Sequence, residues 1–466
     1  MEKMKRNKLA LALTATLGLG AIATNAQAVN IAENGVGDFA YNPYFSVAKA
    51  QDQFISIVNT SNKTVAAKIV FRRGTDSIEV RDFIIILSPK DVWSGRISPV
   101  IVAGAVTNAK VFTADKSCTV PEKDKWAPEA GGFSVAFDSN IFGNNVVSSS
   151  FVSTNVVSGF QSQQIKDIKE GYFTVAVMGV SNIPTDTPNT VAYFAKHVGG
   201  TPRNCAAISN NWPTAQTSIQ SQFPTAENVL RVSSIMIDAK SNLAMGVPVT
   251  TLANAFGGKG QIRLSGNDNP KEPEMDRSVN VFHSDSAKLY SGTADKAERA
   301  VSAVLMNDSI YGTYDFTGGT QSSWVVTFPT KRALMTLKPA VQPFKDSIVP
   351  LSVSSWDNEE AEEVTKTDVP FSPFFPEITP GKTLPYEVNV INFTVAGAVQ
   401  NPLASLLGTP VNQLYSNGWM QVGFPDAQPV TVGTSTFGGM PVIGFEYFEN
   451  GGFSAANNLG FSKVIK

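Results

Sequence analysis

Hydrophobic and polar positions alternate along much of this chain with a period of two, in short runs that end at clusters of turn residues. Residues 54–58 and 65–71 are two β-branched runs of this kind, and the polar cluster at 59–63 between them predicts a hairpin. In the next run, 78–87, the last four residues are apolar on both faces, which indicates a central strand of a sheet.

Turn clusters recur roughly every 8–12 residues, a spacing typical of an antiparallel sandwich or barrel. Helical periodicity is clearest at 294–306, behind a possible N-cap at Thr293, with shorter candidates at 161–169 and 251–256. The further strand candidates are residues 171–178, 190–195, 229–237, 324–328, 386–393, 419–424 and 441–448. We therefore predict an all-β chain of two antiparallel β-sandwich domains, Ig-like or jelly-roll-like, with a few short helices.

The first 28 residues have the pattern of a secretory signal peptide. Four basic residues precede an apolar stretch at 9–23, and the chain then passes through Asn25-Ala26-Gln27-Ala28, an A-x-A exit. About 15 apolar residues fall short of the ~20 that span a bilayer, so we expect removal, a mature chain from near Val29 and no transmembrane segment after it. We predict an exported protein of the cell surface or extracellular space, with the periplasm as the alternative.

A mature chain of about 438 residues predicts two domains, and we place them at 29–230 and 231–466. Only 16% of the residues are charged, below the ~25% usual for soluble domains. Small polar residues or neighbouring copies must therefore cover the surface. Without the leader's four basic residues and one acidic residue, 33 basic and 38 acidic residues leave a net charge of −5. This balance argues against nucleic acid as a partner, because phosphate binding needs clustered Lys and Arg.

The two cysteines, Cys118 and Cys205, predict one disulfide in an exported protein. It would close a loop of about 87 residues and contribute ~3–5 kcal/mol. The alternative is a pair of buried free thiols.

No catalytic motif emerges from the sequence. The two histidines, His197 and His283, have no metal-ligand spacing, and the chain lacks a nucleophile elbow, a P-loop and a dinucleotide fingerprint. We therefore predict that the protein is not an enzyme. A hydrolase that uses two carboxylates without histidine is the remaining catalytic alternative, and the sequence does not single out a pair.

An acidic run offers the clearest candidate for a metal site. Because Ca²⁺ takes six to eight oxygen ligands, a dense acidic loop outside the cell is a possible calcium site, although charge runs are usually solvated. The candidate ligands are Asp357, Glu359, Glu360, Glu362 and Glu363. A second candidate loop is 266–270, followed by Glu272, Glu274 and Asp276.

Glycan binding requires exposed aromatic side chains on a sandwich face or groove. Among six tryptophans, Trp126 and Trp212 lie in Pro-rich, polar stretches, and we expect these two to be the exposed ones. A secreted glycan-binding protein or adhesin is thus an alternative function.

Several segments resemble, in the same order, a group of long secreted proteins of Gram-negative bacteria, mostly uncharacterised and in some cases labelled surface or S-layer-like. The segments are 35–38 (GVGD), 65–72 (VAAKIVFR), 82–93 (DFIIILSPKDVW), 324–332 (WVVTFPTKR), 371–373 (FSP), 386–393 (YEVNVINF) and 439–445 (GMPVIGF). The resemblance implies a β-rich surface protein and transfers no catalytic residue. Members often carry a cysteine where this chain has Leu384-Pro385, so a second disulfide is not expected.

These features predict a non-enzymatic structural protein, a subunit of an S-layer, sheath or filament that self-associates through exposed strand edges and polar patches. One specific hypothesis is that residues 29–39 donate a strand to a neighbouring copy. The alternative, which we favour, is that this segment pairs within its own domain or stays mobile.

Overall fold

The computed structural model describes residues 27–138, 167–263, 272–283, 286–335, 344, 348–359, 383–395, 397–413, 415–425 and 429–465. It is 54% strand and 11% helix, and its sheets are antiparallel with one parallel pairing, which confirms the all-β prediction. The predicted leader lies almost wholly outside the described residues. None of the helices described is long and apolar enough to cross a bilayer.

The described residues of the first half form seventeen strands and three α-helices. The strands are β1 Asn30–Ile31, β2 Val36–Gly37, β3 Phe39–Ser46, β4 Asp52–Asn59, β5 Val65–Arg73, β6 Glu79–Leu87, β7 Val92–Val102, β8 Ala105–Thr113, β9 Cys118–Val120, β10 Ala127–Glu129, β11 Gly132–Ala136, β12 Glu170–Val180, β13 His197–Val198, β14 Thr201–Pro202, β15 Leu230–Asp238, β16 Leu243–Val247 and β17 Thr250–Ala253. The helices are α1 Val191–Ala195, α2 Cys205–Asn211 and α3 Gln216–Gln222.

The second half adds nineteen strands and two α-helices to the described structure. The strands are β18 Ser278–His283, β19 Lys288–Thr293, β20 Met306–Asn307, β21 Ser309–Asp315, β22 Gln321–Thr327, β23 Val349–Pro350, β24 Ser352–Trp356, β25 Thr383–Leu384, β26 Val388–Val395, β27 Ala398–Val399, β28 Gly408–Gln413, β29 Asn417–Gly423, β30 Val430–Val432, β31 Ser435–Gly438, β32 Met440–Pro441, β33 Ile443–Asn450, β34 Phe453–Asn458, β35 Gly460–Ser462 and β36 Val464–Ile465. The helices are α4 Ala297–Leu305 and α5 Lys331–Met335.

Two large sheets pack face to face in the first half. One has the order β1-β17-β3-β12-β5-β6-β9, and the other β10-β11-β8-β7-β4-β15-β16, with β2 beside β15. Alternate side chains such as Ile55 and Ile57 point into the shared core, where the Phe83 ring lies 5.6 Å from that of Trp93. Residues 84–87 are buried on a strand inside the sheet, as their two-sided apolar pattern predicted.

The second half contains a smaller sandwich. A four-stranded sheet, β24-β29-β21-β35, and a six-stranded sheet, β27-β26-β22-β33-β34 with β28 parallel to β26, enclose a second core. Trp324 is fully buried there and meets Phe393 edge to face at 5.8 Å. The helix predicted at 294–306 is confirmed as α4, but Lys296 occupies its N-cap without a side-chain hydrogen bond, in place of Thr293.

The predicted hairpin of 54–58 and 65–71 is wrong. Both strands exist, but β4 pairs with β7 and β15 in one sheet, and β5 pairs with β6 and β12 in the other. The turn between them carries the chain from sheet to sheet. The Asn59 amide holds that turn by donating to the carbonyls of Lys63, at 2.7 Å, and Ser88, at 2.8 Å.

Two further segments differ from prediction because local contacts override strand or helix preference. Residues 190–195 form helix α1 rather than a strand, since the Thr190 hydroxyl accepts the Tyr193 N–H and caps the helix. Residues 251–256 begin as strand β17, paired with β3, rather than as a helix. Most of the helix predicted at 161–169 lies outside the described residues; its last three residues form a 3₁₀ turn.

The predicted division at 230/231 does not separate the sheets. Strands β15 and β16 complete the eight-stranded sheet, and β17 lies between β1 and β3 in the other. Only the strands after Ala253, from β18 onward, belong to other sheets. The polar stretch at 208–224, just before the predicted division, is mostly helical, and its apolar residues, including Trp212 and Phe223, pack onto Ile84 and Ile86.

Candidate functional site

The outer face of the eight-stranded sheet is open to solvent. The strand register places one transverse row of side chains across six strands, and we call it the Phe54 row: Gly246, Ile235, Phe54, Arg96, Phe112 and Ser134. Phe54 and Ile235 are 40% and 47% exposed. The Arg96 guanidinium lies 4.4 Å from the centre of the Phe112 ring, so a cation–π contact orders the charged end of the row.

A second row beside the Phe54 row consists of three directly paired serines, Ser233, Ser56 and Ser94. Small hydroxyls therefore lie next to a partly apolar row on one open sheet face. The same face also carries charged side chains, among them Arg231 on β15 and Lys110 on β8.

The other sheet of this sandwich has its outer face covered at one end by α1, α2 and α3. The predicted disulfide is confirmed: Cys118 of β9 is bonded to Cys205, the first residue of α2, so it ties the helical layer to the sheet. The two faces of the sandwich therefore differ, and the Phe54 row lies on the open one.

The predicted exposure of Trp126 and Trp212 is wrong. Trp126 is buried edge-on against Phe83 at 4.9 Å. Trp212 is fully buried, and its indole N–H donates to the Arg263 carbonyl at 2.9 Å. Trp126 follows a 3₁₀ turn and Trp212 follows α2, and both segments fold back over the core.

Two other tryptophans, which the sequence did not single out, lie on a second open surface. Trp356 and Trp419 pair directly across β24 and β29 on the outer face of the four-stranded sheet, with ring centres 4.0 Å apart and planes 13° apart. Trp419 is 40% exposed. On β29 the odd-numbered side chains point outward, and Met420 and Val422 point inward. The alternation within 419–424 therefore indicated that Trp419 is exposed.

Neither histidine forms a catalytic arrangement. The Nδ1 atom of His197 lies 3.1 Å from Ser88 Oγ and 3.6 Å from Asp91 Oδ2. A relay needs serine and aspartate on opposite ring nitrogens, but here both face the same one. His283 contacts the Ser286 hydroxyl through Nδ1 and the Lys463 carbonyl through Nε2.

A cleft of about 400 Å³ lies beside the disulfide and includes Lys68, Asp82, Val120 and Asn210 in its wall. Lys68 and Asp82 form an ion pair at 2.5 Å. Burial, with Asp82 as a second cause, raises the pKa of the neighbouring Glu79 carboxyl to about 7. If the protein is a hydrolase, Glu79 and Asp82 are the carboxylate pair best placed to act as its acid and base.

The calcium site remains a prediction. Asp357 and Glu359 are described, whereas Glu360, Glu362 and Glu363 lie outside the described residues. Within the described ranges, no three His, Cys, Asp or Glu side chains are grouped closely enough to share a metal ion.

In the second acidic stretch, 266–270 also lies outside the described residues, and the three acids after it make protein contacts. Glu272 accepts the Tyr41 hydroxyl at 2.8 Å, Glu274 pairs with Arg263 at 2.7 Å, and Asp276 accepts the Ser278 N–H.

Two buried ionisable side chains, Lys331 and Glu387, lie in the second half, next to the first sandwich. Lys331 donates to the carbonyls of Pro385 and Tyr386, at 2.8 and 3.0 Å. The backbone N–H groups of Glu387 and Val388 both donate to the Gly74 carbonyl in the first sandwich. Burial raises the pKa of the Glu387 carboxyl to about 8 and lowers that of the Lys331 ammonium to about 8. The pair belongs to the joint between the halves.

Comparison of the chain with family models, with curated proteins and with solved structures gave no match. The functional interpretation therefore depends on the surfaces described above.

Proposed function

We propose that this protein is exported and acts as a non-enzymatic structural protein of the cell surface, a subunit of an S-layer, sheath or filament that assembles by self-association. The observation that carries this proposal is the Phe54 row, in which the directly paired Phe54 and Ile235 are exposed on an open sheet face. Exposed apolar residues that lie side by side on a surface are a common mark of a protein interface. The similarity of sequence segments to secreted surface proteins supports the same function.

The sheet face is a better candidate for the contact between copies than the sheet edges. In the first sandwich, three of the four edge strands are short: β1 has two residues, β9 and β10 have three each, and β10 contains Pro128, which has no N–H to donate. Short edges and edge prolines block strand addition. We therefore propose contact through the Phe54 row, in place of the strand edges expected from the sequence.

Strand donation by residues 29–39 has little support in the described structure. Val29 bridges to Val279, β1 pairs with β17, and β2 pairs with β15, all within the same chain. This arrangement agrees with the alternative that we favoured, pairing within its own chain. A neighbouring copy would have to displace these pairings before it could receive the segment.

Assembly is tested with the mature protein by analytical ultracentrifugation and electron microscopy, with and without calcium. We expect sheets or fibres for the wild type, and loss of assembly in a Phe54→Ser/Ile235→Ser double variant. Val399→Ser provides a matched control, since Val399 is 55% exposed on the second half of the chain. A wild-type protein that stays monomeric at high concentration in both buffers contradicts the proposal. Substrate turnover that disappears in Glu79→Gln would contradict it as well and would favour the hydrolase.

A further inference from the structure

The outer face of the four-stranded sheet combines exposed aromatic rings with uncharged hydrogen-bonding groups. Val353 on β24 and Met420 and Val422 on β29 point into the core. The residues next to them along each strand therefore point outward. We call this surface the Trp419 face: Ser354, Trp356, Trp419, Gln421, Tyr311 and Thr313. None of its side chains is a lysine or an arginine.

Tyr311 lies flat on this face because the residue paired with it is a glycine. A Cβ at Gly460 would lie 2.1 Å from Cε2 and 2.4 Å from Cζ of the Tyr311 ring. The ring therefore occupies the place of the missing side chain, and Tyr311 is still 44% exposed. One broad side of an aromatic ring is thus presented to solvent at a fixed height above the sheet.

The remaining groups of the face are ordered by contacts within the protein. Trp419 stacks on Trp356, and the Gln421 amide donates to the Ser309 hydroxyl at 2.9 Å. The Thr313 hydroxyl donates to Glu446 Oε2 at 3.0 Å. Because these side chains are already held in place, a ligand that contacts them loses little additional conformational entropy on binding.

We propose that the Trp419 face binds a neutral glycan of the cell surface. The C–H-rich side of a pyranose ring is apolar and fits an aromatic ring face, while its hydroxyls need uncharged donors and acceptors such as Gln421 and Ser354. The absence of Lys and Arg from the face argues against phosphorylated or acidic ligands, which require cations. Tyr311 and Trp419 are diagonal neighbours across β21 and β29, close enough for one oligosaccharide to contact both.

This inference is independent of assembly through the Phe54 row, which lies on the other sandwich. A surface protein with both features would attach to glycan with one face and to its own copies with the other. The two proposals can therefore fail separately.

Isothermal titration calorimetry with a panel of neutral hexasaccharides (gluco-, manno-, galacto- and N-acetylglucosamine series) tests the proposal on the mature protein. We expect at least one series to bind, Trp419→Ala and Tyr311→Ala each to weaken binding by about tenfold or more, and Trp419→Phe to retain part of the affinity. Val399→Ser, at an exposed position outside both proposed surfaces, is the control and should bind as the wild type does.

Two results would overturn the proposal. The first is no binding of any series by folded wild-type protein at millimolar saccharide, or binding that Trp419→Ala and Tyr311→Ala leave unchanged. The second is a Trp419→Ala variant with altered sedimentation and unaltered saccharide affinity, because a second copy of the chain would then be the occupant of this face.

Discussion

Glu170 accepts a hydrogen bond from the backbone N–H of Leu406, 236 positions later in the chain, at 2.8 Å. The same carboxylate accepts the Tyr44 hydroxyl at 2.7 Å through its other oxygen. Tyr44 and Glu170 belong to the first sandwich and Leu406 to the second half, so one buried carboxylate holds the two together.

Replacing Glu170 with alanine should destabilise the protein by about 2–4 kcal/mol, since the Tyr44 hydroxyl and the Leu406 N–H would both lose their buried acceptor. Urea denaturation measures the change. Glu449→Ala is the comparison: Glu449 also joins the halves, through Lys49 at 2.8 Å, but is partly exposed. We expect about 1 kcal/mol or less there. Equal losses in both variants would show that burial does not set the strength of the joint.

The all-β fold and most strands follow from the sequence because alternation reports which side of a strand is buried. Alternation does not report which other strand a given strand pairs with. Strands β4 and β5 were therefore located correctly and paired wrongly, since the turn that begins at Asn59 looks the same in a hairpin and in a crossover between sheets. The 230/231 division falls inside the first sandwich for a related reason, because β15, β16 and β17 rejoin its two sheets after a polar, helical segment.

The candidate surfaces were predictable only in part. Composition identified tryptophans as possible contacts, but a Pro-rich context tells little about what packs above a side chain, and Trp126 and Trp212 proved to be buried. For Trp419, alternation with Met420 was the available signal. The flat Tyr311 ring depends on Gly460, which is brought beside it by pairing between β21 and β35, and such long-range register has no local signature.

Removing the disulfide by Cys118→Ala/Cys205→Ala should lower the free energy of unfolding by about 3–5 kcal/mol, because an 87-residue separation is no longer closed in the unfolded chain. Since Cys205 begins α2, the helical layer should loosen first. Hydrogen exchange of α1 to α3, compared with β4 and β7, measures this. Dithiothreitol should reproduce the change in the wild type and leave the double variant unaffected. Uniform loss of protection across both sheets would contradict the local effect.

Gly460→Ala should displace the Tyr311 ring without removing any group from the Trp419 face. If the flat ring contacts glycan, saccharide affinity should fall by about tenfold or more while the protein stays folded, at a stability cost of about 1–3 kcal/mol. Calorimetry and thermal unfolding measure the two effects. Gly451→Ala is the matched control, since a Cβ there meets nothing within 4 Å. Unchanged affinity in Gly460→Ala would remove Tyr311 from the binding surface.

Glu387 should make stability fall as pH rises from about 4.5 to about 8. Burial raises the pKa of its carboxyl in the folded protein to about 8, so in this interval the folded state keeps a proton that the unfolded state has released. The slope from this group is at most about 1.4 kcal/mol per pH unit. Above pH 8 the neighbouring Lys331 acts in the opposite direction up to about pH 10.5, because burial lowers the pKa of its ammonium group to about 8.

Glu387→Gln should flatten the decline between pH 5 and 8 and leave stability at pH 8 equal to or above that of the wild type. The Glu387 Oε2 atom has no hydrogen-bond partner among the described residues, so an amide nitrogen in its place breaks no hydrogen bond, and the backbone bond to Gly74 is kept. Urea denaturation across this pH range measures the slope, with exposed Glu33→Gln as the control. If the wild type and Glu387→Gln lose stability in parallel from pH 5 to 8, the carboxyl of Glu387 is already ionised in the folded state and the joint tolerates its charge.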